Sequence, residues 1–104
     1  MKLTFKMFTH GGLPLDLEGA DSVEVVFPYA NNRTKRKTRG KGLEITGKNQ
    51  CEVTLDDFEI DAMPENESVN VYAQVKKSGI VHDVLFKDAF AVIMKKGRKG
   101  IELK

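Results

Sequence analysis

Tryptophan is absent from this 104-residue chain, and there is a single cysteine, Cys51. One thiol excludes an intrachain disulfide, and a zinc site would have to draw on other ligand types. No apolar run approaches the roughly 18 to 20 residues a membrane-spanning helix needs. The opening residues, "MKLTFKMFTH", alternate polar and apolar and lack the continuous apolar core of a signal peptide. No leader, anchor or membrane partner is therefore expected. Two further absences matter for chemistry. No G-x-S-x-G is present, and neither "GGLPLDLEG" nor "GKGLEITG" is followed by the G-K-[ST] of a phosphate loop.

What is present is a soluble, single-domain composition, with 40% apolar and 31% charged residues. Six Phe and two Tyr carry the aromatic load. The net charge of +2 hides an asymmetry. Residues 31–41, "NNRTKRKTRGK", carry six cations and no anion. The last ten residues, "KKGRKGIELK", add five cations against one anion. Between them, "CEVTLDDFEIDAMPENES" holds seven carboxylates and no base. The chain reads as two basic segments on an acidic body.

Period-two alternation dominates. In "KLTFKMF", Leu3, Phe5 and Met7 share a face opposite Lys2, Thr4 and Lys6, the signature of a half-buried strand. "THGGLPLDLEGADS" is an irregular connection, within which Leu13, Leu15 and Leu17 alternate along the core. "VEVVFPY" is a strand with Val23, Val25 and Phe27 inward, and Pro28 is expected to end it or mark an edge. "GLEITG" and "QCEVTL" form a hairpin about Gly47 and Asn49. In "TLDDFEIDAM" one helical turn is expected, with Thr54 as N-cap, Phe58 inward and Pro64 as the stop. "VNVYAQVKK" places Val69, Val71, Ala73 and Val75 on one face, and Ser78-Gly79 turns it into "IVHDVLF". "AFAVIMKK" is the last apolar strand. The pattern predicts an all-β fold, an immunoglobulin-like β-sandwich of about seven short antiparallel strands, with a small β-barrel as the alternative. The expected domain is 1–96 with a basic loop at 30–42, followed by a basic tail at 97–104.

The search for catalytic groups finds little. Ser78, His82 and Asp83 could be drawn as a triad, but strand neighbours point to opposite faces and cannot form a relay. His10 reads as a loop residue and His82 as an exposed strand residue. Cys51 reads as a small, partly buried apolar side chain. Asp56, Asp57, Glu59 and Asp61 lack EF-hand spacing and read as a solvated acidic turn. Asn32-Arg33-Thr34 and Asn66-Glu67-Ser68 match the glycosylation sequon, and without a leader they read as chance matches. No cofactor or metal is implied, and no enzymatic activity is expected.

The candidate partner-binding residues are therefore the cations Arg33, Lys35, Arg36, Lys37, Arg39 and Lys41. Three readings stand: a solvated hairpin loop, contact with an acidic protein surface, or contact with nucleic acid. No aromatic residue interrupts 31–41 to stack on bases, and Tyr29 lies only at its edge. Asp56, Asp57, Glu59 and Asp61 form an acidic contact patch of the matching sign. The charge map thus points to a head-to-tail copy of the chain or an acidic neighbour.

The strand order and the turn motif "GGLPLDLEGADSVEVVF" resemble the N-terminal immunoglobulin-like domain of phage baseplate upper proteins and related tailed-phage structural proteins. Gly12, Pro14, Asp16, Leu17, Gly19 and Ala20 carry the turn. Val53, Leu55, Tyr72, Ala73 and Val75 continue the pattern, which spans roughly residues 2–94. The basic stretch lies outside it. The resemblance implies a non-enzymatic virion protein of a tail, baseplate or capsid decoration. It would be assembled in the host cytoplasm by contact with other virion proteins or copies of itself as a homo-oligomer. A small nucleic-acid-binding accessory protein using residues 33–41 is the alternative.

Overall fold

A computed structural model describes residues 2–63, 68–86, 90–94 and 100–103. The all-β expectation holds. One mixed sheet is built from β1 (Lys2–Phe8), β2 (Ser22–Tyr29), β3 (Arg33–Arg39), β4 (Gly42–Gly47) and β5 (Gln50–Thr54). After the helical turn α1 (Asp57–Asp61), the chain adds β6 (Ser68–Asn70), β7 (Tyr72–Lys77), β8 (Ile80–Asp83) and β9 (Leu85–Phe86). β10 (Phe90–Met94) and β11 (Gly100–Leu103) complete the order. The main sheet runs β8-β7-β2-β3-β4-β5-β1-β9, and β11-β10-β6 form a second, three-stranded sheet. The main sheet curls into a half-barrel, a shape compatible with both a small barrel and a sandwich.

Alternation sets the curl's inner face. Leu3, Phe5 and Met7 of β1, Val23, Val25 and Phe27 of β2, and Ala73 and Val75 of β7 are all buried. Phe5 and Phe27 meet edge to face across the core, centroids 6.1 Å apart. The hairpin expected between β4 and β5 is present, with Leu43 opposite Val53 and a bulge between Ile45 and Gly47. The turn joining β7 to β8 places Ser78 at φ 52° and Gly79 at φ 79°. Two positive φ values in sequence mark a type I′ turn, whose twist matches that of the flanking strands.

The two ends of the half-barrel are closed differently. At one end the connection between β1 and β2 folds inward. Leu15 N–H donates to Met7 at 3.1 Å and Leu17 N–H to Lys48 at 2.8 Å, and both leucines are buried. Leu13 lies outward instead. At the other end α1 follows β5 and lowers Ile60 and Met63 into the core.

Three local expectations are revised and a fourth is narrowed. Residues 30–42 are not a long loop. A 3₁₀ turn (Ala30–Asn32) leads directly into β3, which pairs with β2 from Tyr29↔Arg33 to Glu24↔Thr38. Pro28 marks an edge and does not end β2, the second of the two outcomes expected of it. It pairs with Thr34 on one side, while the β7 ladder on the other side has already ended at Val26↔Tyr72. A missing N–H is tolerated where no second strand follows. The helix cap is Asp56, not Thr54, and Phe58 is 83% exposed while Ile60 faces in. Not every strand pair is antiparallel: β3 and β4 pair in parallel at Thr38↔Gly42 and Arg39↔Leu43. Parallel neighbours normally need a long crossover. Here the chain only steps sideways by one strand, which Gly40 (φ 81°) and Gly42 (φ 87°) permit.

Part of the expected basic tail, Gly100–Leu103, is a strand paired with β10. The tail's cations Lys95, Lys96, Arg98, Lys99 and Lys104 lie outside the described residues, as does Pro64.

Candidate functional site

Strand pairing decides where the basic segment points. Lys35 lies opposite Phe27 and Lys37 opposite Val25, so both share the side of β2 that faces the core. Arg33 and Arg39, two residues away on each side, take the same face. Thr34, Arg36 and Thr38 take the outer one. β3 therefore turns cations toward an interior that its neighbours line with valine and phenylalanine.

That arrangement needs a counter-charge, and α1 supplies it. Lys37 is only 8% exposed. Its Nζ donates to Glu59 Oε1 at 2.8 Å and lies 2.6 Å from Oε2. Lys35 Nζ sits at the margin of the same carboxylate, 3.9 Å from Oε2. Glu59 also closes the capping box: it accepts the Asp56 N–H at 3.1 Å, and its own N–H donates to Asp56 Oδ1 at 2.8 Å. One carboxylate thus starts the helix and pairs with the buried lysine of the strand beneath it. Tyr29, at the end of β2, feels this cluster. Burial, with the Glu59 and Asp56 carboxylates close by, holds its hydroxyl above the ordinary value.

Gly42 completes the seat of Lys37. A Cβ there would lie 2.8 Å from Lys37 Cδ, on a backbone with φ of 87°. Any other residue would press on the buried side chain while straining its own backbone.

On the outer face Arg36 pairs with Glu24 of β2. Arg33, Arg39 and Lys41 are exposed and make no ion pair with a described residue. Of the acidic patch, Glu59 meets the lysines of β3 and Asp56 caps α1, and Asp57 and Asp61 lie at the surface of that turn. Two of the six cations, Lys35 and Lys37, thus meet one carboxylate of the acidic patch, Glu59, inside one molecule.

The other candidates are placed plainly. His82 is half-buried opposite Val75, and His10 is exposed in the first connection. Cys51 is fully buried rather than partly, and burial pushes its thiol up to about 12. A thiol so shifted holds no thiolate at neutral pH. Asp16 of the turn motif accepts the Glu18 N–H at 3.1 Å, and its Oδ2 lies 3.6 Å from Lys77 Nζ. Burial pushes its carboxyl up, but the Gly19 N–H, the Lys77 charge and the Glu18 N–H outweigh it and hold the carboxyl below the usual range.

An open cleft of about 470 Å³ flanks the β3–β4 step, lined by Arg39, Gly40, Gly42, Leu43, Glu44 and others. Among the described residues no group of three or more His, Cys, Asp or Glu is placed to hold a metal, and no helix is long and apolar enough to cross a membrane.

Sequence reasoning missed three participants: Glu24, Gly42 and the central role of Glu59. A signal for the strand was available. Residues 33–39, "RTKRKTR", place a cation at every second position, the same period that marks a strand in apolar residues. In comparisons with family models, curated proteins and solved structures, nothing matches this chain.

Proposed function

We propose that the chain is a non-enzymatic assembly module, a phage or prophage virion structural protein, that acts through protein–protein contact. The observation that supports this is the presentation of Arg33, Arg39 and Lys41 on and beside a paired strand. They are exposed, and no ion pair with a described residue neutralises them. Cations held on a sheet lose less entropy on meeting an acidic neighbour than the same cations on a long loop. Such contacts set register and encounter rate more than affinity. The turn motif around Gly12, Pro14 and Asp16 adds the virion context. Sedimentation of the chain with purified virions or their disassembled parts tests this. Co-sedimentation that weakens with salt is expected, and none at any salt concentration overturns it.

The same three cations also leave room for the nucleic-acid reading, in reduced form. Three phosphate contacts on a single strand predict a log–log salt slope of about −2, half of what all six cations would give. A slope near zero removes this reading.

A further inference from the structure

The strand β3 has two edges, and they are not treated alike. One is paired to β2 along residues 33–38. The other meets β4 only at Thr38 and Arg39. Over residues 33–37 no described strand lies on that second edge, and no backbone hydrogen bond reaches it from another described segment. α1 approaches by its side chain, through Glu59 to Lys37 and Lys35.

An unpaired edge is a template for another chain, and proteins commonly blunt it with lysine and inward-pointing charge. β3 carries both devices. They exclude one class of partner and favour another. A second β3 laid against this edge would set cation beside cation, which is destabilising. An extended segment with carboxylates at alternate positions would meet Arg33 and Lys35 on one face or Arg36 on the other. These side chains have exposure to spare: 44% for Lys35 and 59% for Arg36. Discrimination of this kind is a repulsive element against one partner combined with attraction to another.

We infer that the edge of β3 over residues 33–37, which no described strand pairs, receives an extended acidic segment of a partner protein, added as a further strand. This rests on the assembly reading above and names its partner class. Main-chain hydrogen bonds along residues 33–37 hold the segment, and the cations choose it.

The test uses the full chain and a ten-residue peptide alternating Glu with Val, with binding followed by fluorescence anisotropy. Three comparison probes accompany it: the Lys-for-Glu peptide, the Glu peptide N-methylated at alternate residues, and an oligothymidylate of equal charge. The inference expects binding of the Glu peptide alone, slower amide hydrogen exchange at residues 33–37 in its presence, and loss of about fivefold in affinity for Arg33→Glu. Equal binding of the N-methylated peptide overturns strand addition but leaves the assembly reading intact, because charge capture needs no ladder. No binding of any peptide, with co-sedimentation on virion parts retained, overturns the inference alone. Tighter binding of the oligothymidylate, lost in Arg33→Glu, overturns both.

Discussion

At the scale of single residues, Glu59 carries the most. It accepts from Lys37 in a buried setting and from the backbone of its own helix cap. Glu59→Gln keeps a side-chain oxygen for the capping box but leaves the Lys37 ammonium buried without its counter-charge. Breaking such a pair from one side costs about 3–5 kcal/mol. A urea titration is expected to show a loss near the lower limit, because both side chains keep some exposure. The double variant Lys37→Met/Glu59→Gln should recover most of it. A single-variant loss below about 0.5 kcal/mol, the level of a surface pair, contradicts the role assigned here.

Cys51 makes a second residue-scale prediction. The unfolded thiol gives up its proton near 9.0, and the folded one only at about 12. Between those values the folded state binds the extra proton, so this contribution is complete below pH 9 and drains away as pH rises toward 12. One proton corresponds to about 1.4 kcal/mol per pH unit. Tyr29, also shifted upward, acts in the same direction. Denaturant titrations at pH 8 to 11 should therefore show stability falling more steeply for the native chain than for Cys51→Val. Parallel curves would mean that the thiol titrates as freely in the fold as outside it.

Among elements, the β7–β8 hairpin is the one whose turn chemistry was readable in advance and can be improved. Ser78 holds φ 52° without being glycine or asparagine. Asparagine tolerates that region better, and Asn-Gly is the preferred pair for such a turn. Ser78→Asn should stabilise by a few tenths to about 1 kcal/mol, read as a higher melting temperature; a fall would mean that the serine hydroxyl has a partner worth more.

β3 shows the opposite case. Its period of two was visible in "RTKRKTR", yet nothing apolar marked it as a strand. Alternation is diagnostic when one face is hydrophobic, because burial of that face is what enforces the register. In β3 the register is enforced by β2 opposite it and by Glu59 from a segment 22 residues away. α1 was legible as a turn of helix, but its phase was not. Thr54 and Asp56 both offer a capping oxygen, and the choice between them exchanges Phe58 for Ile60 at the core. The reach of Glu59 to Lys37 decides it.

For the whole molecule, the half-barrel separates stability from surface charge. Leu15, Leu17, Ile60 and Met63 close its ends, while Arg33, Arg39 and Lys41 contribute to neither the core nor a described ion pair. Replacing these three cations by serine should leave the unfolding midpoint within the ±0.5 kcal/mol of ordinary surface changes. The same variant should lose salt-dependent co-sedimentation with virion parts. A variant that unfolds early assigns the cations to the fold, and one that assembles unchanged removes them from the contact.

From sequence alone followed the all-β class, the inward faces of β1, β2 and β7, and both hairpins. Each is set by short-range rules: alternation of apolar residues, and turn residues that accept positive φ. What only the tertiary structure decided is the fate of the charges. Charge along a chain has no partner until folding supplies one, and the partners here are distant in sequence. The 31–41 stretch looked like a cationic loop because its counter-charge sits on α1 and its ladder on β2. Once folded, its buried lysine belongs to the structure, while Arg33, Arg39 and Lys41 stay exposed.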